Sequence, residues 1–351
     1  MKQKILIAPL NWGLGHAARC IPIIRALLIC NYTPILASDG AALALLKKEF
    51  PELEAIELPS YNITYTKNGN FLKLKLLLDG PKIMKTINAE KRALETIVKS
   101  RQIDGIISDN RFGMYHETLP SIFITHQLRV LSDTTTWLST SIHQRIIKKF
   151  DACWVPDYTD APHLSGIMGH VSNPIFKVTY LGPLSRFEKQ VIPYEFDVMV
   201  LLSGPEPQRE ILETILLKAF KKFDGKVLFV RGVVESEQTR YTVKNITIYN
   251  YMTTPMLEHA LNASKLIVAR SGYTTIMDLA KLEKKAFFIP TPGQPEQMYL
   301  AQLMLQHNYA PYCRQEEFTL DKLGIVDRYT GFKSRDNTAN FAELFRLFER
   351  K

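Results

Sequence analysis

Short continuous apolar runs recur along the whole chain, and each is followed by a stretch long enough for an amphipathic helix. In the first half the runs fall at 4–8, 34–37, 55–58, 103–107, 121–124 and 152–155; in the second half at 197–202, 226–230, 246–249, 266–269 and 286–289. A strand with one wet face alternates apolar and polar residues. Strands without alternation need cover on both faces, which a parallel sheet gains from its crossover helices. The pattern therefore predicts an α/β protein with doubly wound parallel sheets. The chain has 351 residues, and at roughly 150 residues per domain this predicts two domains. Gly182, Pro183 and Pro193 interrupt the periodicity, so the expected division is 1–183 and 184–351.

Composition excludes several classes. Hydrophobic residues make up 46% and charged residues 23% of the chain, ordinary values for a globular protein. No apolar run approaches the ~18 residues needed to cross a bilayer. The run 5–10 is too short for a signal-peptide core and reads as a first strand, so a cytoplasmic protein is expected. Cys20, Cys30, Cys153 and Cys313 form no Cys-x-x-Cys pair and read as reduced thiols. No cluster has metal-ligand spacing, and no metal or cofactor is expected.

The net charge of +9 is unevenly placed. Residues 61–101 hold nine basic residues (Lys67, Lys73, Lys75, Lys82, Lys85, Lys91, Arg92, Lys99 and Arg101) against Asp79, Glu90 and Glu95. Phe71 to Leu78 interleaves lysines with large apolar residues. Such a stretch suits an anionic membrane surface, and it equally suits a solvated helix face over an ordinary core. Few aromatics and no recognition motif argue against nucleic acid.

Residues 265–301 carry most of the functional signal. The run 266–269 ends at Arg270-Ser271-Gly272, and a helical stretch follows with Thr274 in its first turn and Asp278 further on. The run 286–289 ends in a loop containing Pro290, Gly293, Glu296 and Gln297. In a parallel sheet both loops open at the carboxyl ends of strands, where ligands bind. A Ser-Gly turn at a helix start offers N–H groups and the positive dipole end to an anion. A carboxylate beyond it suits ribose hydroxyls, so the pair suggests a nucleotide diphosphate site. Ser203-Gly204 ends the run 197–202 in the same way. Pro205 and Pro207 lack N–H donors there, and Arg209 could supply charge instead.

The first loop contains Gly13-Leu14-Gly15-His16 and, three residues on, Arg19. Glycines allow tight geometry and close approach of a ligand. His16 at a helix N-terminus reads either as a cap or as a general base kept neutral by the dipole. Asp109, after the run 103–107, reads as its orienting partner or as a turn cap.

These segments resemble the nucleotide-sugar glycosyltransferases of family 28. The matches are Gly13-Leu14-Gly15-His16, Thr125-His126-Gln127-Leu128, Leu181-Gly182-Pro183-Leu184-Ser185-Arg186, Arg270-Ser271-Gly272 with Asp278, and Pro290 with Gln297; together they span about 300 residues. The resemblance implies a GT-B arrangement, two doubly wound Rossmann-like domains facing a cleft, with a terminal helix returning to the first domain. Residues 340–350 are amphipathic at helical spacing. It also implies a UDP-sugar donor held by Gly13, Gly15, Ser203, Gly204, Met252, Thr253, Arg270, Ser271, Gly272, Thr274, Asp278, Glu296 and Gln297. The nucleobase would lie against Tyr251-Met252-Thr253.

By the same resemblance His16 and Asp109 are catalytic, and His126 and Gln127 bind the acceptor. The family's His-Glu-Gln-Asn segment has a carboxylate that His126-Gln127-Leu128 lacks. The implied reaction is an inverting, metal-independent transfer to a lipid-linked or saccharide hydroxyl in cell-envelope glycan synthesis, peripheral on the inner membrane face. Two alternatives stay open. Gly13-x-Gly15-His16-x-x-Arg19 is also similar to the loop of UDP-sugar hydrolases of this fold, and the altered 203–207 loop suits a non-catalytic nucleotide-sugar sensor.

Overall fold

The computed structural model describes residues 2–61, 80–131, 136–233, 235–333, 335 and 339–349. They form two compact units, the first holding described residues up to 185 together with 339–349, the second holding those from 186 to 335. Among the described residues the chain changes units between residues 185 and 186, and residues 339–349 belong again to the first unit.

The first unit is built on β1 (Lys4–Pro9), β2 (Thr33–Ser38), β3 (Ala55–Glu57), β4 (Gly105–Asp109), β5 (Ser121–Ile124), β6 (Ala152–Val155) and β7 (Val178–Tyr180). Their order is β3-β2-β1-β4-β5-β6-β7, and every pairing is parallel. Ile5, Leu6, Ile7 and Ala8 of β1 are all fully buried, which is why the run does not alternate. Helices α1 (Gly15–Ile29), α2 (Gly40–Glu49), α3 (Gly80–Arg101) and α4 (Thr136–Ile147) accompany it. The predicted basic stretch lies only in part here. Lys67, Lys73, Lys75 and residues 71–78 fall outside the described residues, whereas Lys82, Lys85, Lys91, Arg92, Lys99 and Arg101 lie on α3.

The loops at the carboxyl edge of this sheet share one buried network. Arg111 donates from Nε to the Pro9 carbonyl at 2.9 Å and from Nη1 to Glu90 Oε1 at 2.9 Å, and it pairs with Asp39 through Nη2. Asn11 donates to the other Asp39 oxygen at 3.0 Å, and Tyr61 donates to Glu90 Oε2 at 2.7 Å. With Arg111 and Glu90 both fully enclosed, removing one would strand the other. The network therefore fixes the loops after β1, β2, β3 and β4 against one another.

The second unit has β8 (Phe196–Leu201), β9 (Val227–Val230), β10 (Arg240–Val243), β11 (Ile246–Tyr249), β12 (Ser264–Ala269) and β13 (Lys285–Phe288), with α5 (Gln208–Phe220), α6 (Thr254–Asn262), α7 (Tyr273–Lys281) and α8 (Pro295–Gln306). The order is β10-β11-β9-β8-β12-β13. Val198, Val200, Leu212, Leu216, Phe220, Phe229, Val268 and Phe287 form its core. The sheet is not wholly parallel as expected, because β10 pairs antiparallel with β11 at the edge. All four β10 residues are exposed, so no apolar run marked them.

The tail is tied to the first unit. Phe345 in α9 (Phe341–Phe345) and Phe348 just beyond it are 0% and 1% exposed. Phe345 meets Tyr32 edge-on at 5.6 Å, and Tyr32 Oη donates to the Phe345 carbonyl at 3.0 Å. A Cβ on Gly105 would stand 2.2 Å from Phe348 Cδ1, so the ring occupies the place of a missing side chain.

Candidate active site

In the first sheet β1 and β4 are neighbours although β2 and β3 intervene in the chain. Connections leave them in opposite directions, and the loops at their carboxyl ends diverge. This is the topological switch where α/β sheets receive ligands. The β1 loop carries Gly13, whose φ of +73° requires glycine, and Gly15 opens α1. His16 follows in the first turn. Asp109 is the last residue of β4 and pairs in register with Pro9. The fold thus brings together a histidine and an aspartate 93 residues apart: His16 Nδ1 lies 2.8 Å from Asp109 Oδ1.

Arg19, quoted in the loop motif but given no ligand or catalytic role, stands at the centre of this cluster. Three residues after His16 on α1, it shares that helix face. Its Nε donates to Asp109 Oδ2 at 2.5 Å and its Nη2 to Oδ1; Nη1 lies 3.1 Å from His126 Nδ1. Burial acts to raise the Asp109 pKa, but Arg19 and then His16 outweigh it and hold the carboxyl down to about 2. Burial lowers the His16 pKa below its ordinary value; Asp109 opposes the shift and Arg19 adds to it. The imidazole is therefore neutral at neutral pH.

His126 lies just beyond β5, within the same cluster and 7% exposed. Gln127 donates its N–H to Thr125 Oγ1 at 3.1 Å. Beneath this loop His143 of α4 bonds to the Gln127 backbone and packs edge-on against Phe112 and Phe123.

The second sheet repeats the arrangement at β8 and β12. Ser203 and Gly204 lie exposed after β8, and Gly204 has a φ of +103°. Gly272 caps α7 after β12. A Cβ built on Gly204 or Gly272 meets no atom within 4 Å, so open space lies before both turns. Thr274 and Asp278 on α7 and Glu296 at the start of α8 are half-buried.

Four of the residues expected near the donor make contacts within the protein. Arg270 is 1% exposed and donates to the carbonyls of Ile289, Pro290 and Gln208 and to Gln315 Oε1, so its side chain ties these loops together. Ser271 is fully buried and its hydroxyl donates to the Gln297 carbonyl at 2.7 Å. Gln297 Oε1 accepts from the Thr291 N–H at 2.9 Å, so this residue fastens the loop after β13 to α8. Arg209 is paired with Glu206 and Glu213, which neutralise the charge expected to compensate the prolines. In the first three cases a polar side chain beside a tight turn satisfies backbone groups that the turn would otherwise leave buried and unbonded.

The nucleobase segment is narrowed in the same way. Tyr251 gives its N–H to Asn250 Oδ1 and its carbonyl to Gln238, so Met252 and Thr253 carry what remains of that expectation. Among the described residues no group of three or more His, Cys, Asp or Glu is placed to hold a metal ion. The described cysteines are all free thiols.

Comparison with known proteins agrees with this geometry. Residues 198–326 match the glycosyltransferase family 28 C-terminal domain. An uncharacterized glycosyltransferase of Methanopyrus kandleri is 22% identical over 324 residues, covering 88% of each chain. The UDP-N-acetylglucosamine--N-acetylmuramyl-(pentapeptide) pyrophosphoryl-undecaprenol N-acetylglucosamine transferase of Clostridium tetani is 23% identical over 346 residues, covering 93% of this chain and 90% of that protein. Among solved structures, Acinetobacter baumannii MurG superposes with a TM-score of 0.56 at 15% identity, covering 99% of both chains. A spinosyn rhamnosyltransferase complexed with thymidine diphosphate gives 0.62 at 12% identity, covering 99% of this chain and 95% of that one. The fold is GT-B, and residues 198–326 carry the C-terminal domain of glycosyltransferase family 28.

Proposed function

We propose that the chain transfers a sugar, with inversion, from a UDP-sugar to a hydroxyl of a lipid-linked or saccharide acceptor in cell-envelope glycan assembly. The observation that carries this reading is the His16–Asp109 pair at the switch point of the first sheet, 2.8 Å apart. Its neutral imidazole takes the acceptor proton as the hydroxyl oxygen attacks the anomeric carbon opposite the diphosphate. Asp109 orients the ring and stabilises the imidazolium that forms. The N-termini of α5 and α7 stabilise the charge on departing UDP in place of a metal. Asp278 holds the ribose hydroxyls, and His126 and Gln127 meet the acceptor.

A lipid-linked acceptor needs access from a membrane surface, and two helices of the first unit suit one. Trp137, Leu138 and Ile142 of α4 are 80%, 49% and 51% exposed, beside exposed Arg145. Lys82, Met84 and Lys85 are exposed at the start of α3. Among the described residues no helix is long and apolar enough to cross a membrane. Apolar anchors with basic neighbours favour attachment to an anionic leaflet from one side.

The second reading is hydrolysis of the same donor, favoured by Arg19 within the Gly-x-Gly-His-x-x-Arg motif. One assay separates the two. UDP release from a panel of UDP-sugars is followed with and without a membrane lipid extract, and sugar incorporation into lipid is counted. Transfer predicts slow release alone, faster release with extract, labelled lipid, and a loss of roughly 10²–10⁴-fold in His16→Ala with UDP binding retained. Rapid release of free sugar that ignores the extract would make the protein a hydrolase.

A further inference from the structure

Two histidines, His16 and His126, flank a single guanidinium. Arg19 is 2% exposed; its Nη2 lies 2.8 Å from His16 Nδ1 and its Nη1 lies 3.1 Å from His126 Nδ1, while Nε and Nη2 grip both oxygens of Asp109. A guanidinium has five N–H groups and no lone pair. It only donates, so His126 Nδ1 accepts, and the proton of that ring sits on Nε2. An ionised carboxylate only accepts. If His16 Nδ1 also lacked a proton, two lone pairs would face each other across 2.8 Å at Asp109 Oδ1. His16 Nδ1 therefore carries the proton and its Nε2 the lone pair. His16 Nδ1 and Arg19 Nη2 are then both donors to Asp109 Oδ1, and the carboxylate charge offsets their mutual repulsion.

We propose that Arg19 is a positioning residue that fixes the His126 tautomer, opposite to the one Asp109 fixes on His16, leaving His16 Nε2 as the proton acceptor and His126 Nε2–H as a hydrogen-bond donor. The inference deepens the transferase reading and rests on it only for the use made of the pair. In that use His16 Nε2 receives the acceptor's hydroxyl proton, and the oxygen's electron pair forms the bond to the anomeric carbon. The anomeric carbon–phosphate oxygen bond breaks with its electron pair leaving on UDP. His126 Nε2–H donates to an oxygen of the acceptor and transfers no proton. A buried cation and the carboxylate it grips thus give two chemically identical rings different roles. A lysine would not, because an ammonium is a point charge and lacks the guanidinium's fixed fork.

The test is a two-bond proton–nitrogen correlation spectrum of the full chain, labelled with nitrogen-15 in histidine, at neutral pH. Signals are assigned by their disappearance in His16→Gln and in His126→Gln. The expected spectrum has His16 protonated at Nδ1 and His126 at Nε2. Protonation of His16 at Nε2, or of His126 at Nδ1, overturns the proposal. In Arg19→Lys the His126 signals should move toward a tautomer average, and kcat should fall about 100-fold, at the lower end of what a positioned base contributes. The Kd for UDP should stay within about twofold, because its site is assigned to the other unit. Unchanged His126 signals with full kcat in Arg19→Lys would also overturn it. The spectra need no turnover, so a failed transfer assay and a failed tautomer assignment are told apart.

Discussion

At the scale of single residues, much of the first site was legible before any coordinates. A Gly-rich turn after an apolar run, with a histidine at the helix start and an aspartate ending another run, placed His16 and Asp109 at one sheet edge. Arg19 was visible in the same motif, but its role depends on which helix face meets the end of β4, and that is settled by packing. Packing likewise decides what the side chains of Arg270 and Ser271 touch. Both stand beside a nucleotide-type turn, and their burial of 1% and 0% exposure could not be read from spacing. Asp278 is different, since it is half-buried on α7, eight residues after Arg270, matching the family's acidic position. A carboxylate that accepts from ribose hydroxyls contributes roughly 1–3 kcal/mol through charge-assisted bonds. Asp278→Ala should therefore weaken UDP binding by about 5- to 150-fold, measured by calorimetric titration. Unchanged affinity in a folded variant would remove Asp278 from the donor site.

At the scale of elements, β1, β4, β5, β6 and β9 are legible in the sequence because they are buried on both faces, which makes a run continuous, whereas β3 produces the run 55–58 although it is partly exposed. Val178–Tyr180 is half-buried and Arg240–Val243 is exposed, so neither edge strand produced such a run. Helix α4 carries a consequence that only packing reveals. His143 is enclosed between Phe112 and Phe123, and burial pushes its pKa down to about 4 from the ordinary 6.5. The unfolded chain binds a proton at this position below pH 6.5, whereas the folded chain does so only near pH 4. Stability from the neutral ring is thus complete above pH 6.5 and is lost as the pH falls toward about 4. Each pKa unit corresponds to 1.36 kcal/mol, giving a loss of about 3 kcal/mol. His16, also lowered, adds to the slope in the same direction. His143→Phe should keep the aromatic contacts and remove the first part of the acid sensitivity. Urea midpoints at about pH 7.5 and pH 4.5 would converge in the variant relative to the parent. An equal acid shift in both proteins would exclude His143 as its source.

At the scale of the whole molecule, the described residues from 186 to 335 form the second unit, and residues 339–349 belong to the first. An amphipathic tail was evident from the spacing of Phe341, Leu344, Phe345, Leu347 and Phe348. Its destination came only from resemblance, because periodicity says that a face is buried and not against what. The structure supplies the physical reason. Gly105 on the central strand β4 leaves a gap that the Phe348 ring fills, and Phe345 packs with Tyr32 and lies 6.2 Å from Trp154. A core completed by Phe345 and Phe348 joins segments that lie far apart in the chain. Truncating a buried phenylalanine costs about 3–5 kcal/mol, the lost transfer energy together with the cavity left behind. Phe348→Ala should accordingly destabilise the first unit by that amount. Its thermal transition should fall below that of the second unit, whose UDP affinity should stay at the parent value. Differential scanning calorimetry with and without saturating UDP reads both effects in one series. The nucleotide should raise the second unit's transition equally in parent and variant, by mass action. An unaltered profile would mean that the tail rests on a first unit already complete without it, and that Gly105 is small for some other reason.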